Sequence, residues 1–254
     1  MKKSWLSNPT FLSLIGLFII LGIWCLLTFT GLVGKSILPN PFAVLTSFKE
    51  LHFEDLLVRN TLYSIKLNLL GYAEAISISL LLGFLIGLFP AINSIFSRYV
   101  DAIRFIPLTA VTGLFIAWFG IETNMKVQFL AFGIIVYLLP IVVQRISEVD
   151  KIYLQTAYTL GATKWQIFKT VYWPFVTSKI FDDIRVLTAI SWSYIIVAEL
   201  INKTGGVGAL IFTAARQSRI DKVFAVLFVI VLIGIMQDKL FKWLDKKLFP
   251  FKHV

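Results

Sequence analysis

The sequence predicts an all-α polytopic membrane protein with about six transmembrane helices and a helix–Gly–helix elbow on its cytoplasmic side. Three observations carry this expectation. First, the 254 residues are 58% apolar and only 15% charged, with a mean hydropathy of +0.84. Soluble domains average about 45–50% apolar and about 25% charged residues, and a soluble core of this size has no room for so much apolar surface. Second, mostly apolar runs long enough to cross a bilayer recur along the chain. Third, the stretch 147–174, "SEVDKIYLQTAYTLGATKWQIFKTVYWP", breaks that pattern with five charges and a central glycine, Gly161.

The elements follow in order. A span needs about 20 mostly apolar residues at about 1.5 Å each. The first candidate is 10–30. Lys2 and Lys3 precede an uncharged stretch from Phe11 to Phe29, too long for a signal peptide's apolar region and followed by no A-x-A cleavage pattern, so a retained first helix is expected. The segment 34–60, "GKSILPNPFAVLTSFKELHFEDLLVRN", has paired prolines and scattered charges and reads as a loop with a short surface helix. The second span is expected over 64–90, ending at Pro90, the third over 100–119 and the fourth over 126–144. After the elbow come a fifth span, 180–201, a sixth, 222–241, and a basic tail, "KLFKWLDKKLFPFKHV". Residues 1–254 thus read as a single transmembrane domain with short loops, no internal repeat and no low-complexity tract.

The net charge of +10 is distributed in short segments between apolar runs, with no Arg-rich patch or nucleic-acid fold signature, so nucleic acid is excluded as a partner and the lipid bilayer is the expected one. Six spans put both termini on one side. If that side is the cytoplasm, the inner segments hold fifteen Lys and Arg residues and the outer segments nine; the positive-inside bias therefore places both ends, and 147–174, in the cytoplasm. Cys25 is alone in an apolar run and reads as a packing residue, while His52 and His253 have no cysteine partners, so no metal site is expected.

Helical periodicity divides 147–174 in two. Val149, Ile152, Tyr153, Thr156, Ala157 and Leu160 fall on one stripe before Gly161, and Trp165, Phe168, Val171 and Tyr172 on a second stripe after it. Gly161 suits a helix end, because glycine tolerates the left-handed conformation that closes one. Pro174 is expected to stop the second piece and turn the chain toward the fifth span. Physics alone leaves three uses open: an interfacial helix on the membrane, packing between spans, or a docking surface for a partner protein.

The spacing within this elbow resembles the EAA motif of ABC-importer permeases: Glu-Ala-Ala, three residues, Gly, nine residues, Ile, one residue, Leu-Pro. Here the chain reads Gln155-Thr156-Ala157, then Gly161, Val171 and Trp173-Pro174 at the same separations. Ala157, Gly161 and Pro174 are identical and Val171 is conservative, whereas Gln155, Thr156 and Trp173 depart from the motif. The missing glutamate removes one charge that would meet an ATPase. Three further stretches are similar to the nitrate/sulfonate/taurine branch of these permeases: "ILPNPFAVLTSFKEL" (37–51), "IRFIPLTAVTGLFIAWFGI" (103–121), and "RVLTAISWSYIIVAEL" followed by "GGVGALI". The ordered landmarks cover most of 37–250.

The resemblance implies a transmembrane permease subunit of an ATP-driven type I ABC importer, not an enzyme. It implies a dimer, with a homodimer expected, two copies of an ATP-binding subunit docked from the cytoplasm, and an extracytoplasmic substrate-binding protein. Gln155, Thr156, Ala157, Gly161, Val171 and Pro174 would form the coupling helix. No cofactor is expected on this chain, with ATP and Mg held by the partner ATPase; in agreement, no G-x-x-x-x-G-K-[ST] loop for cradling phosphates occurs. "GGVGAL" (205–210) lacks the Lys-Ser/Thr pair and reads as a turn outside the membrane. The solute implied is a small anion such as nitrate, a sulfonate, taurine or bicarbonate, or a vitamin precursor.

Charges inside spans are costly and suggest function. Arg185, Thr188, Trp192, Ile195 and Glu199 share a face of the fifth span, with Ser191 beside them, and that face is expected to line the translocation pathway between two protomers. The alternative for Glu199 is a solvated helix end. Glu74 reads as a solvated or paired terminus and Arg104 as a cytoplasmic-end anchor. A rival reading is an ion- or proton-coupled secondary transporter using Glu74 and Glu199, distinguished by uptake without any ATPase. A membrane-embedded enzyme would need a catalytic cluster that none of these residues supplies.

Overall fold

The computed structural model describes residues 9–252, and every described element is helical. Lys2, Lys3 and His253 lie outside the described residues. Two units cluster separately. One contains the described residues up to Asn60 together with Leu210–Val229; the other contains Thr61–Ala209 with the residues from Ile230 onward.

In the first unit, α1 (Pro9–Phe29) is a 21-residue apolar helix. Its Trp24 indole donates to the Pro39 carbonyl at 2.9 Å and packs against Phe224 and Phe228. The surface helix expected after it is α2 (Pro41–Phe53), started by the Asn40 side chain, which accepts the Ala43 amide at 2.7 Å, and by Pro41 in the first turn. Arg219 and Lys222 pair with Glu50 and Asp55 across this unit.

The second unit carries the longer helices. Most of α3 (Leu57–Leu88) belongs to it, followed by α4 (Pro90–Ile103), α5 (Thr112–Phe119), α6 (Thr123–Ser147), α7 (Lys151–Thr159), α8 (Lys164–Ile167) and α9 (Trp173–Asn202). The most extensive packing is α6 on α9, around a core of Leu108, Phe115, Met125, Phe129 and Ala198. Gly71, Gly83 and Gly87 of α3 let Leu130, Val142 and Ile146 of α6 approach its backbone. Last come α10 (Val207–Arg216) and α11 (Ile220–Leu248), each shared between the units.

Five described helical runs are long and apolar enough to cross a membrane: Phe11–Phe29, Leu57–Leu88, Thr123–Ser147, Lys164–Ile201 and Ile220–Leu248. The third expected span, 100–119, is not one helix. Pro90–Ile103 and Leu108–Phe119 form a pair bent by 95°. Pro107 has no amide proton, and it disfavours helical geometry at Ile106, so the chain tightens and turns there. A sixth crossing exists only if this bent pair counts as one.

Candidate functional site

The elbow begins where the Asp150 carboxylate accepts the Ile152 amide at 2.9 Å and starts α7. Nine residues later the helix closes through two backbone bonds. Ala162 donates to the Ala157 carbonyl and Gly161 to the Tyr158 carbonyl, each at 3.0 Å. This closure requires the left-handed φ of +77° at Gly161, which a side chain resists. A capping box then starts α8: Gln166 donates its amide to the Thr163 hydroxyl, and Thr163 donates its own to the Gln166 side chain. Each local choice in the sequence therefore supports helix–Gly–helix.

What the elbow presents is apolar and open. Ile152, Tyr153, Tyr158, Leu160 and Trp165 are all more than half exposed. Gln155 and Thr156 are exposed, and the Thr156 hydroxyl turns back to the Ile152 carbonyl at 2.8 Å. Ala157 and Val171 are half-buried. Trp173 stacks on Phe84 with centroids 5.6 Å apart, and Phe168 joins both rings and Trp165. The departure from leucine at 173 thus buys an aromatic cluster that seats the second half of the elbow on α3.

Pro174 does not stop that second half. Helical backbone runs from Lys164 to Ile201 without interruption, passing through a wide turn over Phe168–Tyr172. There the Trp173 amide donates to the Phe168 carbonyl five residues back. Proline lacks a donor and crowds the carbonyl of the preceding turn; opening the turn by one residue relieves the crowding and keeps the helix intact.

The face expected to line the pathway is mostly buried within a single copy. Thr188, Ser191, Trp192, Ile195 and Glu199 are buried, with Ser191, Ile195 and Glu199 fully so. Their polar atoms are occupied: Thr188 donates to the Ile184 carbonyl, Ser191 to the Thr188 carbonyl, and the Trp192 indole to Gln237 at 2.8 Å. Arg185 is the partly exposed member, and it pairs with Asp238 at 2.5 Å. α9 is covered because α6 and the second half of α11 lie against it, which helical spacing alone cannot reveal. Thr188 does border an apolar cavity of about 450 Å³ between α3, α9 and α11.

Glu199 has a specific structural task. One carboxylate oxygen accepts the Gly208 amide at 2.7 Å and the other the Ser64 hydroxyl at 2.5 Å, while the Ser64 oxygen accepts the Val207 amide at 2.9 Å. The first two orphan donors of α10 are thereby satisfied by a buried carboxylate and its serine. A Cβ at Gly206 would collide with that carboxylate, and one at Gly208 would meet the Ile196 carbonyl at 2.8 Å. The glycines read as an outer turn are therefore the seat of Glu199. Beside them Lys126, fully buried, donates to the Thr204 hydroxyl at 3.1 Å over the Tyr63 ring. Sequence reasoning missed Ser64 and Lys126; the signal was a lysine at the edge of an apolar run with a glycine-rich partner. Glu74, half-buried, accepts from Gln128 at 2.9 Å.

Comparison with known proteins adds an independent line. The family described as the binding-protein-dependent transport system inner membrane component matches residues 75–250. A Bacillus subtilis protein, named as an aliphatic sulfonates transport permease, is 28% identical over 235 residues, covering 92% of this chain and 85% of the relative. The taurine transport system permease of Escherichia coli is 25% identical over 257 residues, covering 99% and 94%. In fold, the chain is similar to an inward-facing MetNI methionine ABC transporter structure, with a TM-score of 0.65 at 16% identity over 76% of this chain and 95% of that one.

Proposed function

Because the chain belongs to the inner membrane components of binding-protein-dependent transport systems, the permease subunits of ABC importers, we propose that 147–175 is the surface on which a separate ATP-binding subunit docks. The chain itself is a multi-pass transport subunit and not an enzyme. The observation that carries the docking role is the open apolar face of Ile152, Tyr153, Leu160 and Trp165 on an elbow rooted in polar residues. Exposed apolar side chains on a segment too polar to span the membrane call for a covering partner. In this reading Gln155, Thr156 and Ala157 lie at the contact, Gly161 shapes it, and Val171 and Pro174 carry it into α9. The assembly holds two ATP-binding subunits, with ATP and Mg on those subunits, and two copies of this chain. Both termini lie in the cytoplasm with the elbow. A single cysteine at Leu160 should crosslink to the ATPase in membranes; absence of that crosslink, with assembly otherwise intact, overturns the docking role.

The solute in this reading is a small organic anion of the sulfonate or taurine kind, delivered by an extracytoplasmic binding protein. Support comes from the names of the two relatives. ATP-dependent uptake into vesicles holding the permease, its ATPase and its binding protein is the test. Taurine or an alkanesulfonate should be taken up; transport of nitrate or bicarbonate alone would overturn the assignment.

A further inference from the structure

We infer that Arg145 clamps the root of the elbow onto α9, so that elbow and helix move as one lever. This rests on the docking role proposed above. Arg145 lies in the last turn of α6, just before the elbow. Its Nε and Nη2 donate to the two carboxylate oxygens of Asp183 on α9, both at 2.8 Å. Its Nη1 donates to Glu148 at 2.8 and 3.1 Å, and Glu148 also accepts from Gln144 at 3.0 Å. All three guanidinium nitrogens are thus spent on two carboxylates from two elements.

Most surface ion pairs contribute little. This one differs in geometry, since it is a bidentate fork that fixes orientation as well as distance, and Asp183 is only 16% exposed. Lysine, a point charge without a fork, would hold one carboxylate and lose the other.

The consequence follows from how the elbow is attached. Its trailing end is continuous with α9 through the Phe168–Tyr172 turn. Its leading end leaves α6 through Glu148, Val149 and Asp150, which are not helical. Without a tie, a push on the exposed face would be absorbed by bending there. By holding Asp183 and Glu148 at once, Arg145 ties the first residue of that link to α9 and leaves only Val149 and Asp150 to bend. Displacement then passes along α9 to Glu199, sixteen residues beyond Asp183 and about 24 Å away, where the carboxylate holds the first turn of α10.

The test uses the reconstituted importer with its ATPase and binding protein, comparing Arg145→Gln, Asp183→Asn and the charge exchange R145D/D183R. Two quantities are read: solute imported per ATP hydrolysed, and the mobility of a spin label at Lys151→Cys. Both single variants should keep ATP hydrolysis, lose coupling by about tenfold and free the label, and the exchange should restore both. Unchanged coupling and unchanged label mobility in the single variants overturn the clamp. If Arg145→Gln does not insert, Arg145→Lys carries the same comparison, with partial loss expected. The Leu160→Cys crosslink separates the two ideas: if it forms while coupling survives the variants, only the clamp fails; if it never forms, docking fails first.

Discussion

Glu199 and Gly208 are joined by a 2.7 Å hydrogen bond in which a fully buried carboxylate accepts the second amide of α10. Replacing Glu199 by alanine removes the acceptor of that buried amide, a cost of about 1–3 kcal/mol. Glu199→Ala should lower the melting temperature of the purified protein in detergent, and Glu199→Gln, which keeps an acceptor, should lower it less. Equal melting of all three proteins would show that the bond stabilises nothing.

Gly161 has open space around its Cα, so a side chain there meets no neighbour and the cost is purely one of backbone conformation. Holding an L-residue at φ +77° costs about 1–2 kcal/mol, and more for a β-branched one. Gly161→Val should therefore distort the elbow while leaving the spans inserted, with ATP hydrolysis retained and uptake reduced. Gly161→Asn, better suited to this region, should behave closer to the parent. The ratio of uptake to hydrolysis in vesicles checks both.

Trp173→Leu restores the residue usual in the motif but removes the stack on Phe84. An aromatic pair contributes about 0.5–1.5 kcal/mol beyond its buried area. We expect a modest fall in melting temperature and persistent transport. A gain in stability would mean that the Trp173–Phe84 contact is under strain.

Single cysteines at Thr188, Trp192 and Ile195 should resist a membrane-impermeant maleimide, because these positions are 8, 4 and 0% exposed. A cysteine at Arg185, on the same helix but partly open, should react. Rapid labelling at 192 or 195 would place these residues on an aqueous path.

How much of this was readable in advance differs from element to element. Helix positions followed from hydropathy, because a bilayer crossing demands a length of apolar chain that few other structures need. Within the elbow the two stripes and Gly161 were legible; Asp150 and the Thr163–Gln166 pair are local signals of the same kind that the sequence reading missed. Pairings across the fold were not. Arg145 and Asp183 are 38 residues apart, and each reads as a charge near the end of a run. Glu199 reads in sequence as a costly charge on the pathway face; its partners Ser64 on α3 and Gly208 on α10 are set by the fold and were not legible. The two prolines show the limit of a local rule. Pro107 broke a run expected to be continuous, whereas Pro174 failed to break one, because a widened turn absorbed it.

That widened turn has a geometric corollary. Each residue added to or removed from a helix rotates everything beyond it by about 100°. The Phe168–Tyr172 turn holds one residue more than an α-turn, so it sets the angular phase between the exposed side of α8 and every face of α9. It works as an indexing collar. Deleting a single residue there would leave the rod's length nearly unchanged but swing Trp165 more than a quarter of a turn around its axis, aiming the same side chains at a different neighbour.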